Sequence, residues 1–192
     1  MQQEVFKIGE VTLNFRHYSG IDLYSDGEVE DELLGIVRNH RPQEYQAVIE
    51  QERSWPIFYH LSRERSNIIE WIPMKGTERV LEVGSGYALT SLLVTSENYF
   101  IDRKSGAITG TLAEKAAEVT CVDLSRKRSE INAVRNNTCA NVTIHVGNFR
   151  DIEPDLPSNY DFIFLIGVFE YGRAYIGGED PYRTFLEVIR RH

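Results

Sequence analysis

The pattern of apolar and polar residues changes near residue 76 and divides the chain into two parts. In the first part, two short alternating runs predict strands over residues 5–8 and 11–15. Apolar residues at helical spacing then predict helices over residues 28–39, 42–53 and 63–71. We therefore expect residues 1–75 to form a mostly helical N-terminal extension that serves as a lid or as a substrate region.

Residues 76–192 alternate short apolar runs with helical patterns, which is typical of a parallel sheet covered by helices on both faces. The predicted strands are 79–83, 118–124, 141–146 and 161–168, and the predicted helices are 111–117, 126–136 and 181–191. The fourth strand is apolar throughout, as expected for a central strand. The second part of the chain is thus predicted to be an α/β domain.

The predicted sheet looks incomplete after its fourth strand. A helix that follows this strand needs further strands to bury its second face and to close the sheet edge, and none follow. We therefore expect a domain that lacks its C-terminal strands, as the front part of a longer protein would. An alternative is that the N-terminal extension covers the exposed edge.

Composition excludes several classes of protein. Of the 192 residues, 42% are hydrophobic and 26% are charged, as in a soluble globular protein. The net charge of −8 argues against a nucleic-acid partner, and we interpret the basic runs 126–128 and 190–191 as solvated helix surface. No stretch resembles a signal peptide or a membrane span, so a cytoplasmic protein without membrane insertion is expected. The two cysteines and five histidines have no metal-ligand spacing, which predicts no metal site.

Residues with chemical potential follow the predicted strands. Glu82 precedes Gly84, Ser85 and Gly86, a glycine-rich turn whose bare backbone suits the approach of a nucleotide-like cofactor. Asp123, beside Leu124, ends the second strand, where a carboxylate can bind both hydroxyl groups of a ribose.

Two further motifs follow the third and fourth strands. Asn148 and Phe149 can bracket an adenine ring, and Gly167 leads to the polar pair Glu170 and Tyr171. Because the carboxyl ends of parallel strands share one edge of a sheet, these motifs are expected to surround a single crevice.

Together, the four motifs resemble those of the class I S-adenosylmethionine-dependent methyltransferases. The matching runs are Val-Leu-Glu-Val-Gly-Ser-Gly at 80–86, Val-Thr-Cys-Val-Asp-Leu-Ser at 119–125, Gly-Asn-Phe at 147–149 and Gly-Val-Phe-Glu-Tyr at 167–171. The resemblance implies a Rossmann-like fold and S-adenosylmethionine as cofactor. It further implies that Glu82, Gly84 and Gly86 line the methionine end, that Asp123 binds the ribose, and that Asn148 and Phe149 border the adenine.

Two other segments, 55–62 and 178–182, are similar to a bacterial subgroup of these enzymes. That subgroup is often encoded with, or fused to, glycosyltransferases of surface-polysaccharide synthesis. The resemblance implies a small-molecule or glycan-precursor substrate, and a glycosyltransferase as partner or fused domain.

The sequence distance between the first two motifs is longer than in an ordinary nucleotide-binding fold. Glu82 and Asp123 are 41 positions apart, whereas a dinucleotide-binding fold expects its ribose acid about 20 residues after the turn. Residues 88–91 and 107–110 are similar at an offset of 19, and removing one such offset restores an ordinary strand-helix-strand spacing. We therefore expect an insertion at 87–105.

Two interpretations of the insertion are open. In the one we favour, a loop interrupts the turn, Gly106 supplies the missing close-approach glycine, and a helix over 107–117 leads into the second strand. In the other, residues 88–95 are the helix that leaves Gly86, and an added excursion begins near residue 98.

The hypothesis drawn from the sequence is methyl transfer to a small-molecule or sugar-containing acceptor, in polysaccharide biosynthesis. The candidates for a general base are Glu170, Tyr171 and His60. The alternative is a non-catalytic, degenerate methyltransferase-like domain that acts as a scaffold or interaction unit beside a glycosyltransferase. A nucleotide-sugar-binding or NAD-binding enzyme is the third hypothesis.

Overall fold

A computed structural model describes residues 4–22, 27–85 and 108–192 of the chain, without the side chains of Arg63 and Glu170. Its strands form one six-stranded sheet in the order β1-β2-β5-β4-β3-β6, in which only the β1–β2 pair is antiparallel. The strands are β1 (Val5–Ile8), β2 (Val11–Asn14), β3 (Arg79–Val83), β4 (Glu118–Asp123), β5 (Val142–Val146) and β6 (Phe162–Leu165). The predicted α/β fold is confirmed, and the sheet is mixed because β1 and β2 join it.

Helices connect and cover the strands. They are α1 (Glu28–Asn39), α2 (Tyr45–Glu52), α3 (Trp55–Leu61), α4 (Asn67–Glu70), α5 (Ile108–Lys115), α6 (Arg126–Arg135), α7 (Phe149–Ile152), α8 (Gly172–Tyr175) and α9 (Pro181–Ile189). Short 3₁₀ turns precede α2 and α4, follow α7 and precede α8. No helix in the described ranges is both long enough and apolar enough to cross a membrane.

Alternate residues of the central strands face two separate apolar cores, as the two-residue period of a strand requires. On one face, Val80 and Cys121 belong to a core that includes Ile108 and Leu112 of α5. On the other face, the core contains Leu81 of β3, together with side chains of α7 and α9. A third apolar cluster joins α1, α2 and α3 to the outer side of α6. The central sheet is therefore covered by helices on both faces, with an additional helical layer over α6.

The N-terminal strands extend one edge of the sheet. Residues Thr12 to Asn14 pair in parallel with Thr143 to His145 of β5, and the side chains of Val11 and Leu13 are buried. The edge that they cover is that of β5, whereas β6 pairs only with β3 among the described residues. The expectation of a central position for the fourth strand is therefore wrong. Its apolar residues, Phe162 to Leu165, are instead half-buried at the sheet edge.

The helical layer is attached to α6 by a buried ion pair. Arg128 Nε donates to Glu30 Oε1 at 2.7 Å, and the two side chains are only 5% and 0% exposed. The interpretation of residues 126–128 as solvated surface is therefore wrong for Arg128, whose guanidinium group is buried between α6 and α1. One helical position earlier on α6, Lys127 pairs with Asp31 of α1 at the surface.

These neighbouring ion pairs permit a matched comparison of stability. Glu30→Gln removes the charge that compensates a buried guanidinium, so we expect the free energy of unfolding to fall by about 3 kcal/mol. Asp31→Asn removes the charge of the exposed pair and should lower it by less than about 1 kcal/mol. Urea unfolding of both variants measures the difference. Equal losses would contradict a buried, compensated pair at Glu30.

Candidate functional site

A cleft lies at the carboxyl ends of β3, β4, β5 and β6, the edge of the sheet where α/β proteins bind ligands. The open space within it, including solvent at the mouth, is about 720 Å³. Six of the predicted cofactor-binding residues line it: Gly84, Asp123, Leu124, Asn148, Phe149 and Gly167. The structure thus brings together residues from four strand ends.

The turn after β3 is held by the neighbouring strand. The backbone N–H groups of Gly84 and Ser85 donate to the carbonyl oxygen of Val122 at 2.7 and 3.3 Å. Gly84 has a φ of 82°, and a Cβ added to it would lie 1.9 Å from Cγ1 of Val168. The sequence indicated a glycine that a ligand approaches closely. In the described structure, Val168, three residues after β6, packs against Gly84.

Asp123 ends β4 at the rim of the cleft and is only 8% exposed. Its Oδ1 accepts a hydrogen bond from the backbone N–H of Ser125 at 2.8 Å. The hydroxyl of Ser125 accepts from the N–H of Arg128, so Ser125 is the N-cap of α6. Asp123 therefore orders the turn into α6 and presents a carboxylate group at the place predicted for a ribose.

Asn148 lines the cleft and also joins two helices. Its Oδ1 accepts from the N–H of Arg150 at 3.0 Å, and its Nδ2 donates to the carbonyl oxygen of Tyr175 at 3.1 Å. Phe149 is 6% exposed, with its ring centroid 5.6 Å from that of Phe185. These contacts fix α7 and α8 around one side of the cleft. An adenine contact by Asn148 or Phe149 stays a prediction.

Glu82 lies behind the turn, on the face of the sheet that α5 and α6 cover, and it does not line the described cleft. Its Oε2 accepts from the hydroxyl of Thr109 at 2.6 Å and lies 3.5 Å from Sγ of Cys121. Burial raises the pKa of Glu82 to about 7, although the hydrogen bonds from Thr109 and Cys121 oppose this rise. Any effect of Glu82 on a ligand in the described cleft is therefore transmitted through its neighbours.

The three candidates for a general base differ in position. Tyr171 lines the cleft, whereas the side chain of Glu170 lies outside the described part of the chain. His60 is buried at the end of α3 and is not among the lining residues of the cleft. Burial, and then the nearby guanidinium groups of Arg65, Arg128 and Arg135, lower the pKa of His60 to about 3. A neutral imidazole with so low a pKa is a poor proton acceptor near pH 7, which argues against His60 as the base.

Part of the predicted site lies outside the described residues. Gly86, Gly106 and the predicted insertion at 87–105 all belong to this part of the chain. The first turn of α5 is described, and Thr109 in it contacts Glu82 of β3. Both interpretations of the insertion stay predictions.

Sequence reasoning missed three buried polar residues beside the turn: Thr109, Arg128 and Asn132. Arg128 and Asn132 are four positions apart and therefore lie on the same side of α6, and this spacing was the available signal. Thr109 carried no comparable signal, because its partners come from distant parts of the chain.

The raised pKa of Glu82 predicts how stability depends on pH. Between about pH 4.5 and 7, the folded state retains a proton on Glu82 that the unfolded state releases, so this residue makes stability fall as the pH rises. Glu82→Gln should remove that fall. Urea unfolding at pH 5.5 and 7.5 measures it, with Glu114→Gln, at an exposed position of α5, as the control. An unchanged pH dependence in Glu82→Gln would contradict the assignment.

Comparison with known proteins gives one family match. Residues 104–191, slightly less than half of the chain, match the family model described as a methyltransferase domain. No curated protein and no solved structure matches the chain. The matched range includes Asp123, Asn148 and Gly167, and it begins after the turn at the end of β3. The match therefore supports a methyltransferase domain in residues 104–191, and the mostly parallel sheet with its helices is consistent with a Rossmann-like methyltransferase fold.

Proposed function

We propose that this protein is an S-adenosylmethionine-dependent methyltransferase that acts in the cytoplasm on a small-molecule or sugar-containing acceptor. The observation that carries the proposal is the convergence of four strand ends on one cleft. A glycine turn at Gly84 and a carboxylate at Asp123 face that cleft from adjacent strands. The methyltransferase-domain match over residues 104–191 supports the same activity.

The residues present fit such a cofactor in both polarity and shape. Val83, Val122 and Ile176 provide apolar walls, while Asp123 supplies an acceptor for ribose hydroxyl groups. The hydroxyl group of Ser85 is buried beside the turn, where the thiol of Cys121 is a polar neighbour.

In this assignment, Gly84 and Ser85 hold the methionine end of the cofactor. Asp123 holds the ribose, and Asn148 and Phe149 border the adenine. When bound, the cofactor supplies an electrophilic methyl group on its sulfonium sulfur. The chain contributes orientation and exclusion of water, since a buried turn and apolar walls fix the geometry of an in-line displacement. A hydroxyl acceptor also requires a proton acceptor, and Tyr171 is the candidate that lines the described cleft.

The identity of the acceptor is the finer part of the proposal. Segments 55–62 and 178–182 resemble a methyltransferase subgroup that is often encoded with, or fused to, glycosyltransferases of surface-polysaccharide synthesis, which favours a glycan precursor as acceptor and a glycosyltransferase as partner or fused domain. Trp55 of α3 is 62% exposed and lies against the rings of Phe58 and Tyr59. An exposed aromatic face suits contact with a partly apolar acceptor.

A second candidate function is a non-catalytic scaffold beside a glycosyltransferase. It is favoured by the predicted insertion at 87–105, which separates the turn at Gly84 from the helix that completes it. In the described structure, Val168 packs directly against Gly84. A scaffold of this kind would retain the fold without binding the cofactor.

Calorimetry with S-adenosylhomocysteine and the full chain distinguishes the two functions. The enzyme should bind it, whereas the absence of binding would overturn the proposed activity and favour the scaffold. Asp123→Asn should weaken binding by about ten- to one-hundred-fold, because a buried charged acceptor contributes about 1.5–3 kcal/mol. Asp151→Asn, at an exposed position of α7, is the matched control and should leave the affinity unchanged.

A further inference from the structure

Behind the turn at the end of β3 lies a chain of buried hydrogen bonds. Asn132 Nδ2 donates to the carbonyl oxygen of Ser85 at 3.2 Å and to Oγ1 of Thr109 at 2.9 Å. The hydroxyl of Thr109 donates in turn to Glu82 Oε2 at 2.6 Å. Asn132, Thr109 and Glu82 are each at most 3% exposed. This network of hydrogen bonds thus joins α6, α5 and β3, and one branch ends on the backbone of the turn.

The orientation of the Asn132 amide is fixed by Asn136, the C-cap residue of α6. Asn136 Nδ2 donates to Oδ1 of Asn132 at 2.7 Å and to its backbone oxygen at 3.0 Å. Both hydrogens on Asn132 Nδ2 therefore serve Ser85 and Thr109. The close approach of α5 requires Gly110, because a Cβ there would lie 2.6 Å from Asn136 Oδ1. Each amide hydrogen of Asn132 and Asn136 and the hydroxyl hydrogen of Thr109 has its own acceptor, so the donor and acceptor roles along the network are defined.

Ser85 is consequently held from two sides. Its N–H donates to the carbonyl oxygen of Val122 on β4, and its own carbonyl oxygen accepts from Asn132 on α6. Both backbone polar groups of this turn residue are therefore fixed before any ligand arrives. A site held in this way loses less conformational freedom when it binds.

We propose that Asn132 is a positioning residue for the cofactor turn, acting through the Ser85 carbonyl and supported by Thr109 and Glu82. This inference rests on the proposed function, because it assigns the turn to the methionine end of S-adenosylmethionine. A buried network of hydrogen bonds contributes little net stability compared with apolar side chains of similar shape. A turn whose geometry is already fixed, in contrast, favours ligand binding directly.

Asn141, at the opposite end of the sheet, offers a matched control. Asn141 Nδ2 donates to the carbonyl oxygens of Ala113 and Ala116 at 2.9 and 3.0 Å, and so secures the end of α5. Asn132 and Asn141 therefore both use a side-chain amide to donate two hydrogen bonds. Only Asn132 contacts the turn.

The first experiment compares Asn132→Asp with Asn141→Asp in the full chain, with S-adenosylhomocysteine as the probe. Each change preserves side-chain size but removes both donors, and both variants should melt at a lower temperature than the wild type. Asn132→Asp should weaken binding about ten-fold, as expected for the loss of one buried hydrogen bond to the site. Asn141→Asp should bind as the wild type does. Equal weakening in the two variants, or no weakening in folded Asn132→Asp, would overturn the proposal.

Thr109 provides a test that leaves Asn132 in place. Thr109→Val removes the hydroxyl that links Asn132 to Glu82 and should weaken binding about three-fold, which is less than the change at Asn132. Thr109→Ser keeps the hydroxyl and should bind like the wild type. Equal affinities for the valine and serine variants would exclude Thr109 from the positioning network.

Hydrogen–deuterium exchange without ligand separates this inference from the proposed function. Exchange of the peptide spanning residues 80–85 should be faster in Asn132→Asp and unchanged in Asn141→Asp, since only the first change releases the turn. Unchanged exchange in Asn132→Asp would overturn the positioning role, even if the wild type binds S-adenosylhomocysteine. If the wild type does not bind S-adenosylhomocysteine but exchange is faster in Asn132→Asp, the cofactor assignment is wrong. The conclusion that Asn132 holds the turn in place is then still supported.

Discussion

The site depends on one backbone acceptor, the carbonyl oxygen of Val122, where β3 stops being a strand. Two successive N–H groups, from Gly84 and Ser85, converge on this oxygen, so the chain must turn away from the sheet at that point. The turn carries Gly84 beneath Val168 and directs the Ser85 carbonyl toward α6. Strand β4, helix α6 and the segment after β6 therefore all contact the chain at the point where the pairing of β3 with β4 ends.

The N-terminal segment is attached to this centre in two independent ways. Strand β2 adds to β5 through backbone hydrogen bonds, while Glu30 of α1 compensates the charge of Arg128. Arg128 also lines the cleft, so the ion pair links the outer helical layer to a wall of the candidate site. A residue that stabilises the N-terminal helices therefore also shapes the space available to a ligand.

The sequence predicted features that depend on neighbours along the chain and failed where distant elements meet. The bounds of β3 and α1 were predicted correctly, since apolar periodicity and flanking turn residues mark them. Helix α3 was missed because Pro56 resembles a break, although it occupies the first turn of the helix, where proline is tolerated. The strand ends converge on one cleft as expected. The role of Thr109 could not be predicted, because it arises only where β3, α5 and α6 come together.

The pairing of β2 with β5 has a consequence for how the protein folds. Thr12 and Thr143 are neighbours in the sheet although 131 positions separate them in the chain. Bringing them together closes a long loop, a step that is entropically costly and typically slow. Until β2 pairs with β5, the side chains of Val11 and Leu13 are not yet buried against the sheet. The edge of β5 is then open to pairing with other chains. The period of greatest risk of aggregation thus precedes the arrival of the N-terminal strands at the sheet.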